Sequence, residues 1–288
     1  MTSMAIAVTI GSDQPRTPRR RNRPTALLIL LFVVMIAAPI FAPYNPQGST
    51  EEISLTQHQP PSLAHPFGTD QSDRDVLSRV LKGTQISLAI SGLAVAVALL
   101  LGTAYGTLSA MLGGWADTLL MRIIDIALSI PRLLILLAVT AFWNSPTFPQ
   151  LAILLGFTGW FDVARVTRGE TAGLLKRDFI LATKAIGVGR LRLAIQHIFP
   201  HLIPILIVMA TLAIGNTIAT EASLMYLGAE MPLHTVSLGT TIQDGVGKIQ
   251  YWWITVFPGA AIVLIVLACN ALGDALRNAF APEQVHAA

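Results

Sequence analysis

Two histidines and one glycine-rich segment are the parts of the sequence that most resemble sites of chemistry. His197 and His201 are four residues apart, which on a helix would place both imidazoles on one face, as in a metal site. Pro200 lies between them, however, and structural histidines are far commoner than metal ligands. Residues 245–249 lack both the spacing and the hydroxyl group of a nucleotide-binding P-loop. With no H-E-x-x-H or G-x-S-x-G motif, the sequence predicts no catalytic, metal or cofactor site.

Three polar residues interrupt a long apolar stretch. Asp125, Ser129 and Arg132 are spaced i, i+4 and i+7, which puts all three on one face of a continuous helix. Charges in hydrocarbon are costly, so this face is expected to point into a helix bundle, with Arg122 as the ion-pair partner of Asp125. Two interpretations of Arg132 stay open. Either it is structural and reaches the end of the apolar stretch, or it projects into the interior of the bundle, where it can bind a carboxylate.

The elements that position these residues must lie in lipid. The chain has 288 residues, of which 53% are hydrophobic and only 12% charged, whereas soluble domains carry about 25% charged residues. The mean hydropathy is +0.63. The single cysteine, Cys269, excludes an intrachain disulfide, and the net charge of +3 is too small and scattered to indicate a nucleic-acid partner. The composition therefore predicts an integral membrane protein in contact with the lipid bilayer.

Six apolar runs are the candidates for membrane spans, since a spanning helix needs about 20 apolar residues. They cover residues 25–43, 85–112, 119–143, 148–161, 199–220 and 252–273. The runs are continuous rather than alternating, which favours helices over barrel strands. The first run could instead be a cleaved signal peptide, but it is longer than the usual apolar region of one. The predicted fold class is all-α: a polytopic membrane protein with six transmembrane helices.

The distribution of basic residues predicts the orientation. With the N-terminus inside, fourteen Lys and Arg residues fall on the cytoplasmic side and four outside, with Arg132 uncounted because it lies within a span. Both termini are then cytoplasmic. The predicted organisation is a basic tail (1–24), a first transmembrane helix (25–43), an external loop (44–84), a transmembrane core (85–282) and a cytoplasmic tail (283–288).

The cytoplasmic segment at about 165–198 carries the most informative pattern. Residues 179–186 predict a short helix that ends at Gly187, which can adopt the left-handed conformation without a Cβ clash. A second short helix at 191–198 then leads to Pro200. The apolar and basic faces of this elbow fit two roles: it could lie on the membrane surface, or it could dock in a groove of a soluble partner.

Specific motifs connect this elbow to a family. Lys184-Ala-Ile-Gly187, followed after nine residues by His197-Ile-Phe-Pro200, resembles the EAA loop of ABC-importer permeases. More closely, the chain resembles the C-type permease of the dipeptide, oligopeptide and nickel importers. Further matching segments, in family order between about residues 25 and 282, lie at 67–70, 74–79, 113–115, 121–125, 221–224, 226–228, 257–264 and 270–277.

The elbow departs from the family pattern at two points. Leu181-Ala182-Thr183 stands where the family usually has Glu-Ala-Ala, so the salt bridge that the Glu usually makes to the ATPase is in doubt. His201 stands where Asn is usual. The fold of the loop, which depends on Gly187 and the apolar face, is not affected by either change.

The resemblance implies a type I ABC-importer permease in the bacterial plasma (inner) membrane. Its implied partners are a B-type permease, two ATPase subunits that hold ATP and magnesium, and an extracytoplasmic substrate-binding protein; this chain itself would be neither an enzyme nor a cofactor carrier. The implied substrate is a peptide, with nickel or another small solute as the alternative. The implied coupling residues are Phe179, Ala182, Lys184, Ala185, Ile186, Gly187, His197 and Pro200, and the candidates for the translocation path are Asp125, Ser129 and Arg132.

Two other classes of membrane protein are compatible with six spans. A secondary transporter usually has internal repeats and intramembrane carboxylates, but the sequence shows no repeat and only Asp125 lies inside a predicted span. A six-helix channel would need a filter-like loop, and none is visible. Neighbouring reading frames with P-loop motifs would favour the importer over both.

Overall fold

Helices account for nearly all the regular backbone of the computed structural model, which describes residues 58–143, 146–229, 231 and 235–280. The helices of this part are α1 (Val76–Leu112), α2 (Gly114–Ser129), α3 (Arg132–Phe142), α4 (Phe148–Leu174), α5 (Asp178–Ala185), α6 (Arg190–Leu193), α7 (Phe199–Tyr226), α8 (Leu238–Gly245) and α9 (Trp253–Phe280). The all-α prediction is confirmed for these residues. The predicted tails 1–24 and 283–288 and the first predicted span, 25–43, lie outside the described ranges.

Three helical segments of the described chain are long and apolar enough to cross a membrane: Val76–Leu112, Arg190–Tyr226 and Trp253–Phe280. A fourth candidate is the pair α2 and α3, which are bent by 74° relative to each other. α4 contains the predicted run 148–161 but continues to Leu174, so one helix joins the bundle to the segment that carries the elbow.

A sharp bend corrects the prediction of one continuous helix over residues 119–143. α2 ends at Ser129, Ile130 takes extended dihedral angles (φ −89°, ψ 126°), and α3 begins at Arg132. The cause is Pro131, which has no N–H to donate and disfavours the helical conformation of the residue before it. The bend places Asp125 and Arg132 on different helices.

Two helix ends also differ from the predictions. α1 begins at Val76 rather than near Gln85, because the Asp75 carboxylate caps it by accepting a hydrogen bond from the Ser78 N–H at 2.8 Å. The second helix of the elbow does not end before Pro200. A π-helical turn (Ala194–Ile198) joins α6 directly to α7, and Pro200 sits in the first turn of α7, where its missing N–H is tolerated.

α1 and α4 form the central pair of the bundle. Gly102 and Gly106 are spaced as in a small-xxx-small helix contact, and the Thr167 hydroxyl of α4 donates to the Gly102 carbonyl at 3.1 Å. A Cβ on Gly102 would lie only 2.7 Å from the Trp160 carbonyl oxygen. Glycine is therefore needed here for the close approach of the two backbones.

A buried carboxyl group links three helices, α1, α7 and α8. Glu221 of α7 is 1% exposed and accepts hydrogen bonds from the Ser87 hydroxyl of α1 at 2.9 Å and from the Ser237 hydroxyl at 2.6 Å. Ser87 in turn accepts from the Leu238 N–H, at the start of α8, at 3.1 Å. These bonds hold the short helix α8 against α1 and α7.

Candidate functional site

A cavity of about 380 Å³ lies between α1, α3, α4, α7 and α9. Its wall is largely apolar, but each of α3, α4, α7 and α9 contributes at least one polar side chain; these are Arg132, Asp162, Asn216, Thr217 and Asn270. The lining residues of α7 and α9 lie near the middle of these 28-residue helices. The cavity is therefore at mid-depth in the bundle rather than at either end.

Arg132 is tied to α4 across the cavity. Its Nη2 donates to the Leu155 carbonyl oxygen at 2.7 Å and its Nε donates to the Thr158 hydroxyl at 3.1 Å. Gly159 leaves room for the guanidinium, because a Cβ there would lie 3.1 Å from Nη2. The bend at Pro131 directs α3 so that its first residue can make these contacts.

Asp162 supplies a negative charge to the same cavity. It follows Thr158 by four residues on α4, so the two lie one helical turn apart on one face. Its carboxylate is the acidic group whose charge acts on Arg132, but no ion pair joins the two and no hydrogen bond to Asp162 is formed within the described residues. The cavity therefore contains two opposite charges that no ion pair joins within the described residues.

Of the three residues predicted to share one helix face, only Arg132 lines the cavity. The Ser129 hydroxyl donates to the Ile126 carbonyl oxygen at 2.7 Å and is exposed. Asp125 accepts a hydrogen bond from the Arg165 guanidinium of α4 at 2.8 Å, and both side chains are about half exposed. The predicted pairing of Asp125 with Arg122 is wrong, because α4 brings a better-placed arginine alongside α2.

A second ion pair joins the same two helices. Asp117, in the first turn of α2, accepts hydrogen bonds from the Arg168 guanidinium and from the Ser109 hydroxyl of α1. Together with the pair Asp125–Arg165, this contact fastens α2 along the C-terminal half of α4.

Four polar residues of the cavity were not predicted from the sequence: Asp162, Thr217, Asn216 and Asn270. The signal that could have found the last two is a carboxamide inside a run of apolar residues, since uncompensated polar groups in a span face protein or water. Asn216 and Asn270 are exposed in this chain although they lie on apolar helices, so this side of the cavity is open.

The structure confirms the short helix that was predicted to end at a left-handed glycine in the elbow. α5 covers Asp178–Ala185, and Gly187 has φ +86°, with its N–H donating to the Lys184 carbonyl oxygen at 3.0 Å. Ile180 is fully buried and packs in the cluster that includes Leu193 and Ile198. One buried side chain of α5 thus anchors the elbow to the base of α7.

Most of the predicted coupling residues are exposed on this elbow. Phe179, Ala182, Lys184, Ala185, Ile186, Gly187 and Pro200 are exposed, and His197 is half-buried. Ile186 is 81% exposed. The Phe179 ring stacks on His201 with 5.2 Å between ring centroids, and Nδ1 of His201 donates to the His197 carbonyl oxygen at 2.6 Å. The elbow therefore presents an unpaired apolar surface beside basic side chains, and its role stays a prediction.

Comparison with known proteins gives a consistent assignment. Residues 94–285 match the family described as "Binding-protein-dependent transport system inner membrane component". The chain is 34% identical over 258 residues to the oligopeptide transport system permease protein OppC of Bacillus subtilis, covering 89% of this chain and 83% of that protein. It is 34% identical over 268 residues to OppC of Mycobacterium tuberculosis, covering 91% of each chain.

A solved structure supports the fold. A chain of the MetNI methionine ABC transporter in an inward-facing conformation superimposes with a TM-score of 0.57 at 20% identity, covering 69% of this chain and 95% of that chain. The family match covers well over half of the chain, and the relatives align along most of their length. The chain therefore belongs to the family of inner membrane components of binding-protein-dependent transport systems.

Proposed function

We propose that this chain is the C-type permease subunit of an ATP-driven peptide importer. The observation that carries the proposal is that the chain is 34% identical in sequence to two oligopeptide permeases along about nine-tenths of its length. A polar cavity at mid-depth and an exposed cytoplasmic elbow are the two parts that such a subunit needs. The chain works in the bacterial plasma membrane, with both termini in the cytoplasm.

In this proposal the cavity of Arg132 and Asp162 forms part of the translocation path. Its open side, where Asn216 and Asn270 are exposed, faces the partner permease of the B type. A polar and partly charged wall in the middle of a bundle is costly against lipid, so a protein or aqueous neighbour is expected there. The two permeases together then enclose the path.

The elbow is proposed to dock on one of two ATPase subunits. Its exposed apolar side chains fit a groove on a soluble partner, and ATP and magnesium are bound by the ATPases. α4 leads from the cavity wall at Leu155 to the elbow at Leu174 as one continuous helix. Displacement of the elbow on ATP-driven closure would therefore move the cavity wall and change its access between the two membrane faces.

Co-purification tests the composition of the complex. The tagged chain is isolated from native membranes in conditions that preserve complexes, and we expect a second permease, ATPase subunits and a substrate-binding protein. The complex, reconstituted in proteoliposomes, is expected to import peptide only with ATP. Recovery of the chain alone, or peptide movement without ATP, would contradict an importer and favour a secondary transporter.

Cysteine labelling tests the orientation. Leu63→Cys, at a fully exposed position, is expected to react with an impermeant thiol reagent from outside, and Arg177→Cys only from inside. The native Cys269 is buried and provides the unreactive background. The opposite labelling pattern would place the elbow outside and exclude its contact with ATPases.

A further inference from the structure

We propose that the cavity recognises a short peptide as a zwitterion, with the C-terminal carboxylate at Arg132 and the N-terminal ammonium at Asp162. This inference rests on the proposed function and specifies how the translocation path selects its substrate. It makes the permease itself, and not only the binding protein, selective for free peptide ends.

Arg132 has hydrogen-bonding capacity left for a ligand. Of the five N–H groups of its guanidinium, the structure uses one at Leu155 and one at Thr158, both on α4. These two bonds fix the plane of the guanidinium and leave the remaining donors for an incoming group. A planar fork of donors matches a carboxylate, which can accept two parallel hydrogen bonds.

Asp162 has the complementary property. It is exposed and lines the cavity, and within the described residues it neither accepts a hydrogen bond nor forms an ion pair with Arg132. Charges at mid-depth in a membrane protein are costly unless they are paired or hydrated. A ligand with a positive and a negative end would satisfy both groups at once.

The spacing along α4 corresponds to a short peptide. Asp162 follows the two anchors of Arg132, Thr158 and Leu155, by four and seven residues, or about 6 and 10 Å along the axis at 1.5 Å per residue. Two or three extended residues span about 7–10 Å. The α4 positions that hold the two charges are therefore separated by a distance comparable to the length of a dipeptide or tripeptide.

The volume and the remaining lining agree with this size. A cavity of 380 Å³ lies near the lower end of the range of about 300–1,000 Å³ for ligand pockets. The amides of Asn216 and Asn270 can bond to a peptide backbone, and alanine and valine side chains of α1 leave room for small side chains. Within the described residues no cluster of three or more His, Cys, Asp or Glu could hold a metal ion.

The test uses the reconstituted importer with its binding protein in excess and three labelled substrates: dialanine, dialanine amide and N-acetyl-dialanine. The affinity of the binding protein for each substrate is measured separately, so that capture and translocation are distinguished. Arg132→Gln and Asp162→Asn are compared with Arg122→Gln, a matched charge removal at an exposed residue of α2 outside the cavity. Complex assembly, thermal stability and basal ATP hydrolysis are recorded for every variant.

We expect Arg132→Gln and Asp162→Asn to lower the maximal rate of dialanine uptake about tenfold, the effect of losing one charge-assisted hydrogen bond, with KM unchanged. Arg122→Gln should match the wild type. Among the substrates that the binding protein captures, the wild type should import dialanine faster than dialanine amide and faster than N-acetyl-dialanine. Arg132→Gln should lose only the preference for dialanine over its amide. Asp162→Asn should lose only the preference for dialanine over the N-acetyl form.

Wild-type rates in both cavity variants would overturn the inference and leave the proposed function intact. Loss of stability or assembly that parallels the loss of uptake would also overturn it, because Arg132 would then be a structural tie to α4. A wild-type complex that imports no peptide would instead refute the proposed function.

Discussion

Gly187 provides the sharpest test of the proposed coupling elbow. It lies between α5 and α6, with φ +86°, in the left-handed region that residues with a Cβ rarely adopt. Replacement by valine would favour another backbone angle at this residue. The exposed helix α5 would then be presented to its partner in a different direction.

The expected magnitude follows from the backbone alone. A Cβ built on Gly187 meets no atom within 4 Å, so the substitution causes no clash with its surroundings. The remaining cost is that of the left-handed conformation, about 1–2 kcal/mol for a residue with a Cβ. This lowers the population of the native elbow, and with it the apparent affinity for the ATPase subunits, by a factor of about 5–30.

Gly189 is a matched control two residues away. It is equally open to a Cβ, but its dihedral angles (φ −63°, ψ 149°) are accessible to any residue. Gly189→Val should therefore leave ATPase binding unchanged. Gly187→Asn should fall between the wild type and Gly187→Val, because asparagine tolerates positive φ better than valine does.

The assay measures the affinity of the purified ATPase for the permease in proteoliposomes, together with peptide uptake and the amount of inserted protein. Insertion should be the same in all variants. Equal ATPase affinity and uptake for Gly187→Val and the wild type would refute the assignment of α5 as the docking helix. Equal loss in Gly187→Val and Gly189→Val would show that side-chain bulk, and not the backbone angle, is responsible.

Three further predictions concern the stability of the bundle, measured as the melting temperature of the purified protein with the wild type as reference. Gly102→Leu should lower the free energy of unfolding by about 1–3 kcal/mol, because a Cβ at this position would lie 2.7 Å from a carbonyl oxygen of α4. An unchanged melting temperature would contradict the close packing. Glu221→Ala should cost about 2–4 kcal/mol, because two buried serine hydroxyls lose their acceptor, and Glu221→Gln should cost less. Asp117→Asn should destabilise more than Asp125→Asn, which should cost under about 1 kcal/mol, because the carboxylate of Asp125 is half exposed; equal effects would contradict this ranking.

The helical elements were largely predictable because each depends on a local property of the chain. Apolar runs longer than the bilayer core is thick predict helices wherever they occur, and α1, α7 and α9 contain the runs predicted for them. The turn at Gly187 was predictable for the same reason, since a glycine after a short helix is a local signal. Pro131 is also a local signal, and it indicates a bend. It lies inside a long apolar run, however, and that run was interpreted as one continuous helix.

The ion pairs and the cavity were not predictable from spacing along one helix. Asp125 was expected to pair with Arg122, three residues earlier in the chain. Instead, α4 brings Arg165 to the carboxylate, so the ion pair joins two residues that are 40 positions apart. Asn216 and Asn270 lie in different spans, and nothing local indicates that they share a cavity with Arg132.

The sequence by itself determined that this chain is a helical membrane protein with a short helix that ends at a glycine turn, because lipid requires long apolar segments and a positive φ favours glycine. Only the tertiary structure decided which polar residues meet inside the bundle. The close approach of α1 and α4 at Gly102 and the direction of α3 after Pro131 set these contacts. The first depends on packing between segments far apart in the chain, and the second depends on the local bend at Pro131 together with the position of α4, which α3 then contacts. The spacing of residues within a single helix carries no information about either contact.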